Sequence, residues 1–240
     1  MCILASVPCI SGSTLRCETI GVLCDLFHQP FRLEFFSTFN QITRDVDAVV
    51  PSLLQNGVST GVQASIPPSQ VWIQHVPSVD LASQLASHFD NWGSATDHPD
   101  IVAQLIQQEL DDQFVECLGF TTDLDPEMRQ KLVFGKLGVA FSDNRKPRLV
   151  LDTTISGVNP RTSIQEKVFY PTVADVRETF SAQPERQQYL GFLVDIRAAH
   201  KCIKVKPSER GLAAFTWQGK ARRVISAPHI LHTGGAVLLP

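Results

Sequence analysis

Two strand-like runs constrain this chain most: Pro147-Arg-Leu-Val-Leu-Asp-Thr-Thr-Ile-Ser-Gly-Val-Asn-Pro-Arg-Thr162 and Phe192-Leu-Val-Asp-Ile-Arg-Ala-Ala-His-Lys-Cys-Ile-Lys-Val205. The second sets one carboxylate, Asp195, at the end of an apolar strand, followed by small residues and then a strand in which Lys alternates. A lone Asp at a strand end occurs in many α/β folds. Its distance from an upstream strand of the form Arg148-x-x-x-Asp152 is what makes the pattern specific.

The surrounding segments fit an α+β domain. Asp97-His-Pro-Asp100 offers a capping Asp and a Pro in a first helical turn, and Val102, Ile106, Leu110 and Phe114 recur at i+4 with Leu105 beside them. An amphipathic packing helix is expected over 97–117. Lys131–Phe141 is rich in β-branched and aromatic residues, Ser142–Pro147 is a turn by composition, and Arg148–Thr154 completes a β-hairpin that Asn159-Pro160 ends. A short helix is expected over Val173–Phe180, capped by Thr172. Strands follow at Tyr189–Asp195, Cys202–Val205 and Gly211–Trp217, the last two paired through Pro207–Arg210. Residues 1–96 read as a poorly ordered leader, with one short helix at Val79–Phe89, and 221–240 as a C-terminal tail.

Charge is divided unevenly. Residues 1–120 hold three basic side chains (Arg16, Arg32, Arg44) against thirteen acidic ones, and residues 121–240 hold eighteen against eleven. A basic half suits a polyanion partner, although an ordinary solvated surface explains such a balance equally well. Six cysteines include no C-x-x-C pair and no zinc spacing with His. No apolar run approaches the roughly 18–20 residues of a membrane span. The expectation is an intracellular chain, cytoplasmic or nuclear, with reduced thiols and no membrane partner.

From about 97 to 220 the order of parts resembles that of retroelement reverse transcriptases: a helix, a basic fingers hairpin, a Pro-bearing loop, a palm strand ending in Asp, and a hairpin ending in Phe-Thr-Trp217. The resemblance implies the partial fingers and palm of a right-hand fold, with an incomplete antiparallel palm sheet and packing helices. It implies that Asp195 and the Ile196 carbonyl hold Mg²⁺ for two-metal nucleotidyl transfer, with Asp195 catalytic. It further implies that Arg148 and Lys146 reach the phosphates of an incoming nucleotide. Ala199 would let the nucleotide approach, and His200 would take the place of an aromatic that packs under the sugar. Arg145 sits on the same turn, and Asp152 is expected to pair structurally within the fingers.

The chain departs from the family in lacking a Tyr/Phe-x-Asp-Asp motif, and nothing after Lys220 is a carboxylate. The implied function is therefore a truncated RNA-directed DNA polymerase domain that is inactive as this chain. Its parent family binds an RNA or DNA template–primer and dNTP. The alternative is a non-catalytic fragment with weak, sequence-independent affinity for nucleic acid. In either case Lys131, Lys136, Arg145, Lys146 and Arg148 around the hairpin, and Lys201, Lys204 and Lys206 further on, are the expected phosphate contacts.

Overall fold

A computed structural model describes residues 31–74, 76, 79–80, 82–167, 169–170, 172–181, 199–226 and 237–238. The chain divides after Arg32, and the architecture below is that of the unit Leu33–Pro240. Its elements are α1 (Leu33–Thr43), α2 (Val50–Asn56), β1 (Ile73–Gln74), α3 (Gly93–Thr96), α4 (Pro99–Asp111), β2 (Val115–Phe120), α5 (Pro126–Gln130), β3 (Lys136–Ser142), β4 (Arg145–Asp152), α6 (Val158–Arg161), β5 (Glu166–Lys167), α7 (Val173–Ser181), β6 (Ala214–Trp217), β7 (Lys220–Val224) and β8 (Val237–Leu238). The three sheets, β1–β5, β2–β7–β6 and β3–β4–β8, are antiparallel throughout, so the class is α+β. None of the described helices is long and apolar enough to cross a membrane.

The expected hairpin forms. Lys136 lies opposite Asp152 and Ala140 opposite Arg148, and a shift between Ala140 and Ser142 sets Phe141 against both Lys146 and Pro147. This is a β-bulge, and it accommodates a proline that has no N–H to give the ladder. Strand β4 starts at Arg145, three residues before the expected start, because Asp143-Asn144 alone makes the turn. Leu137 and Val139 of β3 and Leu149 and Leu151 of β4 alternate inward. They share one core with Ala95, Val102, Ile106, Val115, Ala213, Phe215, Trp217 and Val224. This core is the hydrophobic contact between the two larger sheets and α4.

Helix α4 is shorter than expected. It ends at Asp111, where Gln113 adopts a left-handed φ of 59°. Gln113 N donates to Leu110 O at 3.1 Å and Phe114 N to Glu109 O at 2.9 Å, the two bonds of a Schellman stop. Phe114 therefore leaves the helical stripe, and residues 115–117 are strand. The start moves too, because the cap is His98 and α3 occupies the turn before it.

Several other expectations are corrected. No helix forms at 79–89 among the described residues. That stretch is bound in place by backbone bonds from Ala86 N to Ser156 O (3.1 Å) and from His88 N to Phe134 O (2.8 Å). Gly157 is required where it passes, since at φ 79° a Cβ would stand 2.4 Å from Gln84 O. The break expected at Asn159-Pro160 is instead the interior of the short helix α6. Strand β6 pairs with β7 across Gln218-Gly219, not with 202–205, and Pro207–Ala213 is a 3₁₀ helix. The compact unit includes residues 33–96, so residue 97 is not its boundary. Nor is 221 the start of a separate tail: β7 runs through it as the central strand of its sheet, and β8 pairs with β4. The β2–β7 and β4–β8 pairings are non-local, and no local periodicity encodes them. Helix α7 does form, with Thr172 and Asp175 as a reciprocal capping box.

Candidate nucleic-acid interface

Side chains on β4 alternate, and Leu149 and Leu151 enter the core. Arg148 therefore lies on the opposite side of the hairpin with Val150 and Asp152. Arg148 is half-buried, and Arg145 and Lys146 at the tip are exposed. None of these three takes part in an ion pair among the described residues. The bulge turns Lys146 out of the regular pleat beside Phe141, which is exposed on β3 and meets His98 edge-on at 4.8 Å. Asp152, expected to pair structurally, joins no ion pair among the described residues and serves the backbone instead. Its Oδ1 accepts from Thr154 N (3.0 Å) and Ile155 N (3.2 Å), closing the turn after β4.

Other expected phosphate contacts are already engaged within the protein. Lys131 pairs with Glu127 at 2.6 Å, one helical turn away. Lys136 pairs with Asp90 and lies 4.9 Å over the Trp92 ring, and its ammonium holds the Asp90 carboxyl below the usual range. Lys201 is 8% exposed, paired to Glu109 at 2.6 Å and 4.8 Å from the centre of Phe114. A cation so enclosed cannot serve a polyanion at the surface. Burial lowers the Lys204 ammonium, and nearby Arg210 adds to that effect; Lys206 is exposed.

The Glu109–Lys201 pair has a structural consequence. Val102, Ile106 and Glu109 lie on the buried stripe of α4, and Lys201 belongs to the 3₁₀ turn Ala199–Cys202. The pair ties that turn, with the backbone of Ala199 and His200, to the helix that also supports β4. Burial raises the Glu109 carboxyl, and the opposing pull of Lys201 reduces the shift. A signal for this existed in the sequence, because Glu109 occupies an apolar phase of the α4 pattern.

Asp195 and Ile196 lie outside the described residues. Among the described residues no three His, Cys, Asp or Glu side chains are grouped to hold a metal ion. Glu109 Oε2 is buried without a partner among the described residues, but the carboxylate is already paired with Lys201 and belongs to no such group. The described donors therefore do not fit Mg²⁺, whose sites need several oxygen ligands.

No family model and no curated protein matches the chain. Among solved structures it is similar to a foamy viral protease–reverse transcriptase in complex with double-stranded DNA, with a TM-score of 0.34 and 15% identity. The match covers 82% of this chain and 32% of the viral one, so the chain spans about a third of that protein's length.

Proposed function

We propose that this chain is a fingers and early-palm segment of a retroelement-type RNA-directed DNA polymerase. In this reading its β3–β4 hairpin holds the phosphates of nucleotide or template–primer without catalysing nucleotidyl transfer. The observation that carries it is the sorting of cations. Lys131, Lys136, Lys201 and Arg223 each pair with a carboxylate, whereas Arg145, Lys146 and Arg148 on one hairpin remain available. Guanidinium forks and an ammonium at a bulged hairpin tip suit phosphate oxygens. The order of motifs along the sequence supplies the polymerase assignment, with Asp195 and Ile196 as the Mg²⁺ ligands and Ala199 and His200 beside the nucleotide.

Catalysis by these 240 residues is not expected, because they contain no Tyr/Phe-x-Asp-Asp motif and a lone Asp cannot fix two metal ions. Binding is expected in the non-specific range, about 10⁻⁴–10⁻⁶ M, falling steeply with salt. The test is fluorescence anisotropy of the full chain on a primer–template duplex across a salt series, beside primer extension with Mg²⁺ or Mn²⁺. Replacing Arg145, Lys146 and Arg148 by Gln should weaken binding on every sequence. The slope of log affinity against log salt should fall by about 2–3, at roughly 0.9 per lost phosphate contact. An unchanged slope would refute the hairpin's role. Extension above that of an Asp195→Ala control would refute inactivity.

A further inference from the structure

Four of the exposed aromatic rings already carry a cation. Arg129 lies 5.9 Å from the centre of Phe89, Lys136 4.9 Å from that of Trp92, Lys167 5.2 Å from that of Phe169 and Lys220 5.4 Å from that of Phe120. Phe141 differs. It is 50% exposed near the end of β3, and among the described residues no cation lies over its ring. The ring meets His98, the exposed residue that precedes α4, at 4.8 Å with the two planes 69° apart. In such an edge-to-face contact at most one face of Phe141 meets the imidazole. With half of the residue exposed, the other face is open to a flat group.

A solitary exposed Phe is ordinary on a protein surface. The setting of this one is not. Leu137 and Val139 of the same row are buried in the core, and Phe141 carries that row past the core's end. Across the hairpin the bulge sets Lys146 against Phe141. Arg148 faces the residue before it, Ala140, and Arg145 the residue after it, Ser142. Three cations with no carboxylate partner among the described residues therefore bracket one open ring. Cross-strand neighbours stand about 4.5–5.5 Å apart at Cβ, so the ring and a facing cation can engage one ligand together. A nucleic-acid strand fits that combination, because each nucleotide offers a π-face to an aromatic ring and a phosphate to a cation. In a duplex the bases stack on one another, and their faces are closed to Phe141. An acidic peptide would supply the charge but no regular flat partner for the ring.

We propose that Phe141 is a stacking platform for an unpaired base, which makes the hairpin tip a site for single-stranded nucleic acid. Arg145, Lys146 and Arg148 take the phosphates around that base, and His98 supports the ring from the start of α4. This inference rests on the reading that the hairpin holds phosphates, and adds to it the base contact and the state of the strand.

The test is fluorescence anisotropy of the full chain with two labelled probes at matched salt. One is an oligothymidylate of about twelve nucleotides, and the other has the same backbone with every base removed. The wild type should bind the thymidylate roughly tenfold more tightly than the abasic strand, since stacking adds to a shared phosphate contribution. Phe141→Ala should abolish that ratio and leave affinity for the abasic strand unchanged, whereas Phe141→Tyr should preserve it. Replacing Arg145, Lys146 and Arg148 by Gln should weaken binding of both probes alike. Equal affinity of the wild type for the two probes would overturn the stacking site, and no loss of the ratio in Phe141→Ala would do the same. In either case a salt slope that still falls in the triple variant keeps the phosphate reading intact. Absence of salt-dependent binding to both probes would overturn the two together.

Discussion

The β3–β4 hairpin and the β2–β7–β6 sheet contribute to one core, yet the distal end of the hairpin and the sheet use their cations in opposite ways. At that end, Arg145, Lys146 and Arg148 have no carboxylate partner among the described residues and face outward or lie at the rim, while Lys136 at the base of the hairpin pairs with Asp90. On the sheet, Arg223 pairs with Glu116 at 2.8 Å, Lys220 lies 5.4 Å over Phe120, and Arg222 is buried against backbone carbonyls. The turn preceding that sheet buries Lys201 on Glu109. The difference follows from connectivity. The tip of a hairpin is closed by its own turn and needs no charge to hold its register. The sheet joins residues 115–120 to 220–224, and it and its approach are fastened by polar ties between distant segments. A basic half-chain is thus no measure of basic surface: part of its charge serves as internal fastening.

The largest test of that contrast is Lys201→Met. It leaves Glu109 buried without its partner and should cost about 3–5 kcal/mol in urea unfolding, whereas Lys201→Met with Glu109→Leu should recover most of the loss. A single-variant cost below about 1 kcal/mol would show that the pair is not a fastening. Next comes Thr60→Val. Thr60 N donates at 2.7 Å to Glu209 Oε2, as does Thr60 Oγ1, and Glu209 Oε1 is already buried without a partner among the described residues. Removing the hydroxyl should cost about 1–3 kcal/mol and loosen residues 57–62 in hydrogen exchange. By contrast, exchanging Arg145, Lys146 and Arg148 for Gln should change stability by no more than about 0.5 kcal/mol while weakening nucleic-acid binding. A large stability loss there would erase the distinction between the two regions.

The smallest effect concerns pH. The Thr172 hydroxyl and amide hold the Asp175 carboxyl below its ordinary value. Its folded pKa lies beneath the unfolded one, so the cap of α7 contributes fully above the ordinary value of 3.8 and fades as pH falls through the lowered one. Amide exchange in residues 173–176 should quicken only below that point, and Asp175→Asn should remove the dependence.

The local features were legible in the sequence. The hairpin announced itself through strand composition on either side of a polar turn, and the α4 stripe through its i+4 spacing. Thr172 stood in the right place for a cap. The stop of α4 was hidden because a Gln, not a Gly, takes the left-handed position at 113. The clamp along β3 was hidden for a different reason. Leu137 N donates to Asn91 Oδ1 at 2.9 Å and Val139 N to Ser94 Oγ at 3.1 Å, so polar side chains complete a sheet edge where no strand pattern exists. Of the candidate site, Lys146 and Arg148 lie on the hairpin as expected, and Ala199 and His200 open a turn. The internal pairing of Lys136 and Lys201 was hidden because a basic residue looks the same in sequence whether or not a carboxylate meets it.

The sequence alone determined what depends on neighbours within a few residues: the hairpin, the buried stripe of α4, the capped helix at 173, and the order of motifs that suggests a polymerase. Tertiary structure alone decided which cations remain for a ligand, that β7 is a central strand and not part of a tail, and that Arg222 and Trp217 are buried side by side. Backbone preferences and side-chain periodicity act over one or two turns of chain and leave a local trace. Ion pairing and burial depend on which distant segments meet, and Glu109 and Lys201 become partners only when the fold brings them together.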